Sequence, residues 1–212
     1  MKRCKVFFGL LILAVLLAAP AGTSADRIQP LNLRQLVEVS ATVFEGECIA
    51  VREGRDPQTG LVATWYTFEV IEGLTEDLDE TITIKQYGGR DGDLVVYSPI
   101  IGFEEGERVI VFLYGKSEGG FTSAVGMHQG KFAVDRHPDT DTWTVTNGMP
   151  VFTLFEGMQE RALAPRLANG TRADSGLGRI QGKRMLRDEF LALVETMLDE
   201  KQARKERNAS DQ

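Results

Sequence analysis

The stretch from Leu61 to Gly115 constrains the fold most, because it contains three strand-like runs separated by glycine-rich turns. In residues 61–71, aromatic and β-branched side chains alternate with polar ones, the period-two pattern of a half-buried strand. Residues 81–85 repeat this alternation. Residues 109–113 form an unbroken apolar run instead, which predicts a central strand covered on both faces.

Further strands are predicted on both sides of this stretch. Residues 42–52 read as the first strand, and Gly46 inside it predicts a bulge or a tight bend. The turn residues of the segment 56–60 predict a hairpin into the next strand. Two later strands are expected at 121–134, with bends at its glycines, and at 143–146, before an Asn-Gly turn. The fold class is therefore mainly β, a small antiparallel barrel.

Two helices complete the predicted architecture. Residues 31–38 have apolar side chains at helical spacing for two short turns, and residues 183–206 form a longer amphipathic helix. The glycines and prolines of residues 156–182 predict a flexible linker. The helix docks either on its own β domain, the favoured arrangement, or on a partner, because its apolar stripe is too wide to be left in water. The expected organisation is a signal peptide at 1–25, a β-barrel domain at 26–155, the linker at 156–182 and the C-terminal helix at 183–206.

The amino-terminal segment has the order of a cleavable secretory signal. Lys2, Arg3 and Lys5 precede an apolar run at 6–19, and small residues follow at 23–25. The alternative, a membrane anchor, is disfavoured because 14 apolar residues are fewer than the roughly 20 that span a bilayer as a helix. We therefore expect a secreted or periplasmic protein without stable membrane insertion.

Charge excludes one class of partner. Removing the signal would change the formal net charge from −7 to −10, because the segment carries three basic and no acidic residues. Nucleic acids are bound through lysine and arginine, and no basic stripe with interleaved aromatic residues precedes the C-terminal helix. A nucleic-acid partner is therefore not expected. The chain contains 42% hydrophobic residues, which is enough to form a real core.

Few residues qualify for catalysis. Cys48, the one cysteine left after signal removal, is expected to be a small buried side chain, or else to pair with another chain. His128 is expected to be a hydrogen-bonded strand residue and His137 an exposed turn residue. A thiol-dependent or hydrolytic enzyme would need Cys48, His128 and the Asp91/Asp93 loop to converge.

Metal and modification motifs are equally sparse. Zinc needs three or four converging ligands, and no two of the histidines and cysteines have ligand spacing on one element. The glycine- and aspartate-rich residues 88–93 resemble a single calcium-binding repeat, but such repeats act in stacks, so a plain turn is expected. Asp139 and Asp141 lack the rest of an EF-hand loop. Asn169 and Asn208 fit the glycosylation acceptor pattern. No metal or cofactor is expected.

Several short motifs carry a resemblance to a known family. They are Phe44-x-Gly46, Thr67-Phe68-x-Val70, the Gly88-Gly89 pair, the run Pro99-x-x-x-Phe103-x-x-Gly106-Glu107-x-Val109 into Val111-Phe112-Leu113, and Gly126-x-x-x-Gly130-Lys131-Phe132. Together they resemble a family of uncharacterised secreted bacterial proteins whose central domain is similar to the netrin-like, tissue-inhibitor-of-metalloproteinase type of OB-fold barrel. The resemblance covers residues 36–135 and implies an OB-like fold. The true inhibitors chelate the protease zinc through an amino-terminal cysteine, whereas the mature chain here would begin at Asp26.

The leading functional hypothesis is an exported, non-catalytic binding module that engages another exported protein, a peptide or a glycan. The alternative is the enzyme that would use Cys48 and His128. The predicted core of the domain consists of Phe44, Tyr66, Phe68, Val70, Ile82, Ile84, Val109, Val111, Phe112 and Phe132.

Overall fold

The structure, a computed structural model, describes residues 29–75, 78–137, 141–158 and 184–210. Their secondary structure is mainly β, as the sequence predicts. The elements in chain order are α1 (Leu33–Val39), β1 (Thr42–Arg55), β2 (Val62–Gly73), β3 (Thr81–Tyr87), β4 (Gly89–Asp91), β5 (Leu94–Val96), β6 (Arg108–Leu113), β7 (Lys131–Arg136), β8 (Trp143–Thr146), α2 (Val151–Leu154), β9 (Met185–Leu186) and α3 (Arg187–Ser210). The predicted signal peptide, and the linker except for residues 156–158, lie outside the described residues.

Seven strands form one antiparallel sheet in the order β3-β2-β1-β6-β7-β8-β9, and β4 and β5 pair separately. β6 is the middle strand of the seven, and five of its six residues are buried. The prediction of a central strand covered on both faces is confirmed, because the side chains of residues 109–113 are buried in two clusters, one on each face.

The bulge predicted at Gly46 is also confirmed. The pairing of β1 with β2 shifts register between Glu45 and Gly46, and again between Cys48 and Ala50. A Cβ atom on Gly46 would lie 2.8 Å from the main-chain oxygen of Glu69. Only glycine allows this close approach of the two strands, and the resulting bend in β1 curls the sheet.

The predicted closed barrel is wrong. β6 is hydrogen-bonded on one side to β1 and on the other to β7, so it has no free edge on which β3 could close a ring. β3 and β9 are the two edges of the seven-stranded sheet. The segment after β6 bridges part of the gap through isolated pairings of Lys85 with Phe121 and of Leu113 with Ala124. The sheet thus remains open.

An apolar cluster packs on each face of the sheet, where the sequence suggested one core. The predicted core residues are buried, apart from Val70 and Ile82, which are half-buried. Phe112 and Phe132 belong to one cluster and the other eight to the second. The first cluster includes α1 and α3, and the second is enclosed by the curved strands β1, β2, β3 and β6. The two faces of β6 explain the division, since alternate side chains point to opposite sides.

The C-terminal helix packs on its own sheet. Phe190 of α3 is fully buried, and its ring centroid lies 4.7 Å from that of Phe132 and 6.3 Å from that of Phe112. Lys201 donates from Nζ to the main-chain oxygens of Val37 and Ser40 at 2.8 and 2.7 Å, which satisfies carbonyls at the end of α1. The predicted intramolecular docking is therefore the arrangement observed.

Several predicted boundaries differ from the structure. The helix begins at Arg187 and not at 183, because Met185 and Leu186 pair with β8 as a short strand. In the predicted strand 121–134 only the part from Lys131 is regular. Gly126 and Met127 have φ values of 62° and 67°, so the chain there turns and cannot stay extended.

Candidate functional site

The candidate site lies where the chain leaves β3 and enters the β4–β5 hairpin. Gly88 and Gly89 have φ values of 102° and 120°, and Gly92 at the hairpin tip has φ 61°. Glycine adopts such values without strain, whereas other residues rarely do. A Cβ atom on Gly89 would lie only 2.4 Å from Thr64 Oγ1. The predicted turn at 88–93 is thus a hairpin folded closely against β2.

A pocket of about 300 Å³ opens between this hairpin and the ends of β1, β2 and β3. We call it the hairpin pocket. Its polar side chains are those of Glu53, Thr64, Gln86, Arg90 and Ser98, and its other lining residues are Tyr66, Tyr87, Gly88, Gly89, Val95, Val96, Tyr97 and Ile100. A pocket that combines apolar side chains with a few polar groups is a common form of binding site.

The polar groups of the hairpin pocket differ in how they are satisfied. Thr64 Oγ1 donates to the main-chain oxygen of Gly88 at 2.8 Å. Tyr66 is buried, and that burial raises the pKa of its hydroxyl. The Gln86 side chain is only 3% exposed, and within the described chain its Nε2 has no hydrogen-bond partner. Buried donors are almost always paired, so an unpaired one beside a pocket indicates a missing acceptor.

The outer wall of the hairpin pocket carries exposed apolar side chains. The side chain of Tyr97 is 89% exposed, the largest exposed fraction among the exposed large hydrophobic residues of the described chain. Tyr87, Leu94, Val95 and Ile101 are also exposed and belong to the same short segment, 87–101. Single exposed apolar residues are ordinary, but a concentration of them around a pocket is typical of an interaction surface.

A second groove, about 430 Å³ in volume, lies beside Trp143 on β8. The guanidinium groups of Arg108 and Arg136 stand 4.3 and 4.8 Å from the centroid of the Trp143 ring. Arg108 pairs with Glu45, and Arg136 pairs with Asp141 at 2.5 Å. The arginines of this groove are thus satisfied within the chain, so it lacks the unpaired donor found in the hairpin pocket.

The structure separates the two side chains of the alternative enzyme hypothesis. Cys48 is fully buried in the apolar cluster with Phe68, and burial raises the pKa of its thiol. The expected burial of Cys48 is confirmed. His128 is exposed on a turn, so its placement in a strand was wrong. His137, expected to be exposed, is half-buried between β7 and β8.

No group of three or more possible metal ligands occurs within the described ranges. Asp91 pairs with Arg55 at 2.9 Å, and Asp141 pairs with Arg136. Asn208 is exposed on α3, while Asn169 and Asp139 lie outside the described residues.

Comparisons with protein-family models, with curated proteins and with solved structures found no match for this chain. Among the described helices, none is both long and apolar enough to cross a membrane.

The sequence did contain a signal for Gln86. Ile82, Ile84 and Gln86 alternate with polar residues on β3, which places Gln86 on the same inward face as the two isoleucines. A polar residue in the inward series of a strand needs a buried partner. Glu53, which lines the same pocket, comes from β1 and is separated from Gln86 by Thr64 in the sheet, and no sequence pattern joins the two.

Proposed function

We propose that this protein is an exported, non-catalytic binding module that engages another exported protein or peptide through the hairpin pocket. The observation that carries the proposal is the unpaired Nε2 of Gln86 beside a pocket whose outer wall is apolar and exposed. A ligand that supplies both an acceptor and an apolar side chain would satisfy the donor and cover the wall.

Non-catalytic binding is favoured over the enzyme because a nucleophile and its base must lie within hydrogen-bonding distance on an accessible surface. Cys48 is in an apolar cluster with a raised thiol pKa, whereas His128 is exposed on a turn. A buried thiol of raised pKa is a poor nucleophile. The described residues thus favour a role for Cys48 in packing.

Export is supported by the order of charged, apolar and small residues in the first 25 positions. Mass spectrometry of the secreted or periplasmic fraction should find a chain that begins near Asp26. A stable full-length protein in the membrane fraction would contradict export.

Binding is tested with an array of immobilised 15-residue peptides that tile the sequences of exported proteins. We expect a subset of peptides to bind wild-type protein, and the variants Tyr97→Ser and Val95→Asp to lose that binding. Ile71→Ser is the matched control, because Ile71 is 44% exposed but lies at the opposite end of β2. Absence of binding to every peptide, or equal loss in the Ile71 control, would contradict the proposed site.

A further inference from the structure

We propose that the hairpin pocket recognises the main-chain amide of an extended, non-acidic peptide segment, and that Gln86 Nε2 is the donor to its carbonyl oxygen. This inference rests on the proposed binding function and specifies its ligand. It follows from two polar side chains of the pocket and from the character of the wall around them.

The first observation is the unsatisfied nitrogen of Gln86. An unpaired buried donor costs about 1–3 kcal/mol relative to its exposure to water. Gln86 lies on β3, an edge of the seven-stranded sheet, and lines the hairpin pocket. An acceptor on a ligand in the pocket would therefore recover the hydrogen bond that the described chain does not supply.

The second observation concerns Glu53, whose carboxylate affects which ligand charge the pocket favours. Oε1 of Glu53 lies 3.0 Å from the position of a Cβ atom on Gly89, so the carboxylate stands at the wall of the pocket. No ion pair of Glu53 occurs in the described part of the chain. A carboxylate accepts hydrogen bonds and repels anions, so the ligand group near it should carry an N–H donor and no negative charge.

A neutral amide meets both requirements, because it presents a carbonyl acceptor to Gln86 and an N–H donor to Glu53. A carboxylate ligand would satisfy Gln86 and be attracted by Arg90, which also lines the pocket, but it would offer no N–H to Glu53 and would be repelled by it. The formal net charge of −7 also opposes acidic partners.

The wall favours a peptide over a sugar as the source of this amide. Sugars stack on the faces of aromatic rings, and the lining contains Tyr87 and Tyr97. It also contains the aliphatic side chains of Val95, Val96 and Ile100, which a sugar would leave uncovered. Aliphatic side chains match an apolar peptide side chain next to the bound amide. The pocket also depends on Gly88, because a Cβ atom at this position would lie 2.9 Å from Ser98 Cβ and would clash with it.

The test uses the array peptide that binds the protein most tightly. It also uses a series of variants of that peptide in which each peptide bond in turn is replaced by an ester. An ester lacks the N–H group and is a weaker acceptor than an amide. In wild-type protein, replacement at one position should weaken binding about tenfold, and Gln86→Leu should weaken the parent peptide by a similar factor. In Gln86→Leu the ester at that position should cause a smaller loss than in wild type, because only the N–H bond to Glu53 is left to remove.

Two controls separate the possible causes of a loss of peptide binding. Gln86→Leu should melt at or above the wild-type temperature, because it removes an unpaired buried amide, so any loss of binding does not reflect unfolding. Glu53→Gln should narrow the gap in affinity between the parent peptide and a version with aspartate beside the sensitive amide.

The outcomes distinguish this inference from the binding function on which it rests. If peptides bind equally to wild type and to Gln86→Leu, a water molecule satisfies Gln86 and the inference is overturned while the binding function stands. If an oligosaccharide array is bound and no peptide is, the peptide assignment is overturned. If nothing binds, both proposals fail.

Discussion

Arg187 donates two hydrogen bonds to one carboxylate oxygen of Glu45, from Nε at 2.8 Å and from Nη2 at 2.6 Å. Glu45 is fully buried, and its other oxygen accepts from Arg108 Nε at 2.6 Å. Burial disfavours the charged form of Arg187, but the carboxylates of Glu45, Asp188 and Glu72 together outweigh burial and raise the pKa of Arg187. The first residue of α3 is thereby joined to the bulged part of β1.

Glu45→Gln should destabilise the fold, because it removes the counter-charge of Arg108 and the buried counter-charge of Arg187. Arg187 then keeps only its pairs with Glu72 and Asp188, which are more exposed. We expect a loss of about 2–3 kcal/mol in the free energy of unfolding, measured by urea titration. The control is Arg136→Met, which breaks the exposed pair with Asp141 and should cost less than about 1 kcal/mol. Equal stabilities of Glu45→Gln and wild type would show that the pair does not fasten the helix.

Phe190→Ala should lower stability by about 3–5 kcal/mol, since it removes a fully buried ring from between Phe112 and Phe132. Lys205→Ala, an exposed position on the same helix, should stay within about 0.5 kcal/mol of wild type. Thermal melting of both variants checks this. A melting curve of Phe190→Ala that matches wild type would mean that α3 does not pack on the sheet in solution.

The sequence predicted the strands well because their patterns are local. The period-two alternation of β2 and the apolar run of β6 each fix one element, and Gly46 marks a bulge. Closure of the sheet depends on which strand pairs with the second edge of β6. That edge is taken by β7, a choice made by long-range packing that no local pattern records.

Cys48 should be unreactive in the folded protein. Its side chain is fully buried and burial raises the pKa of the thiol, so little thiolate is formed near neutral pH. A coloured disulfide reagent should release its product only after urea is added, at the rate of unfolding. Rapid reaction of native protein near neutral pH would contradict the burial and revive the thiol-dependent alternative.

Asp56 should make stability depend on pH in the acid range. Hydrogen bonds from Thr59 and from Lys85 lower the pKa of its carboxyl group. A carboxylate whose pKa is lower in the folded state stabilises the fold above its unfolded pKa, and this contribution is lost as the pH falls through the folded value. Asp56→Asn should therefore be less stable than wild type near pH 7, and the gap should shrink below about pH 3.9.

Asp141→Asn is the control for this measurement of stability against pH, because Asp141 is an aspartate that is exposed in the connection between β7 and β8. A gap between wild type and Asp56→Asn that stays constant from pH 7 to pH 2 would contradict the assigned hydrogen bonds.

The candidate site was only partly accessible to sequence reasoning. The glycine-rich residues 88–93 correctly predicted a turn, which the structure has at residues 92–93, since only a local backbone requirement was involved. The pocket arises because that turn folds the hairpin over Thr64 and Glu53, which lie more than 20 positions earlier in the chain. The unpaired state of Gln86 is a property of the assembled surroundings and has no counterpart in composition or spacing.

Direct contact between the Gln86 side chain and the ligand can be followed through the side-chain amide signals of a nitrogen–hydrogen correlation spectrum. With the tightest array peptide added to uniformly ¹⁵N-labelled protein, the Gln86 side-chain NH₂ pair should shift in proportion to the occupied fraction. The Gln202 pair on α3 should remain in place. A saturating peptide that leaves the Gln86 pair unmoved would contradict the account.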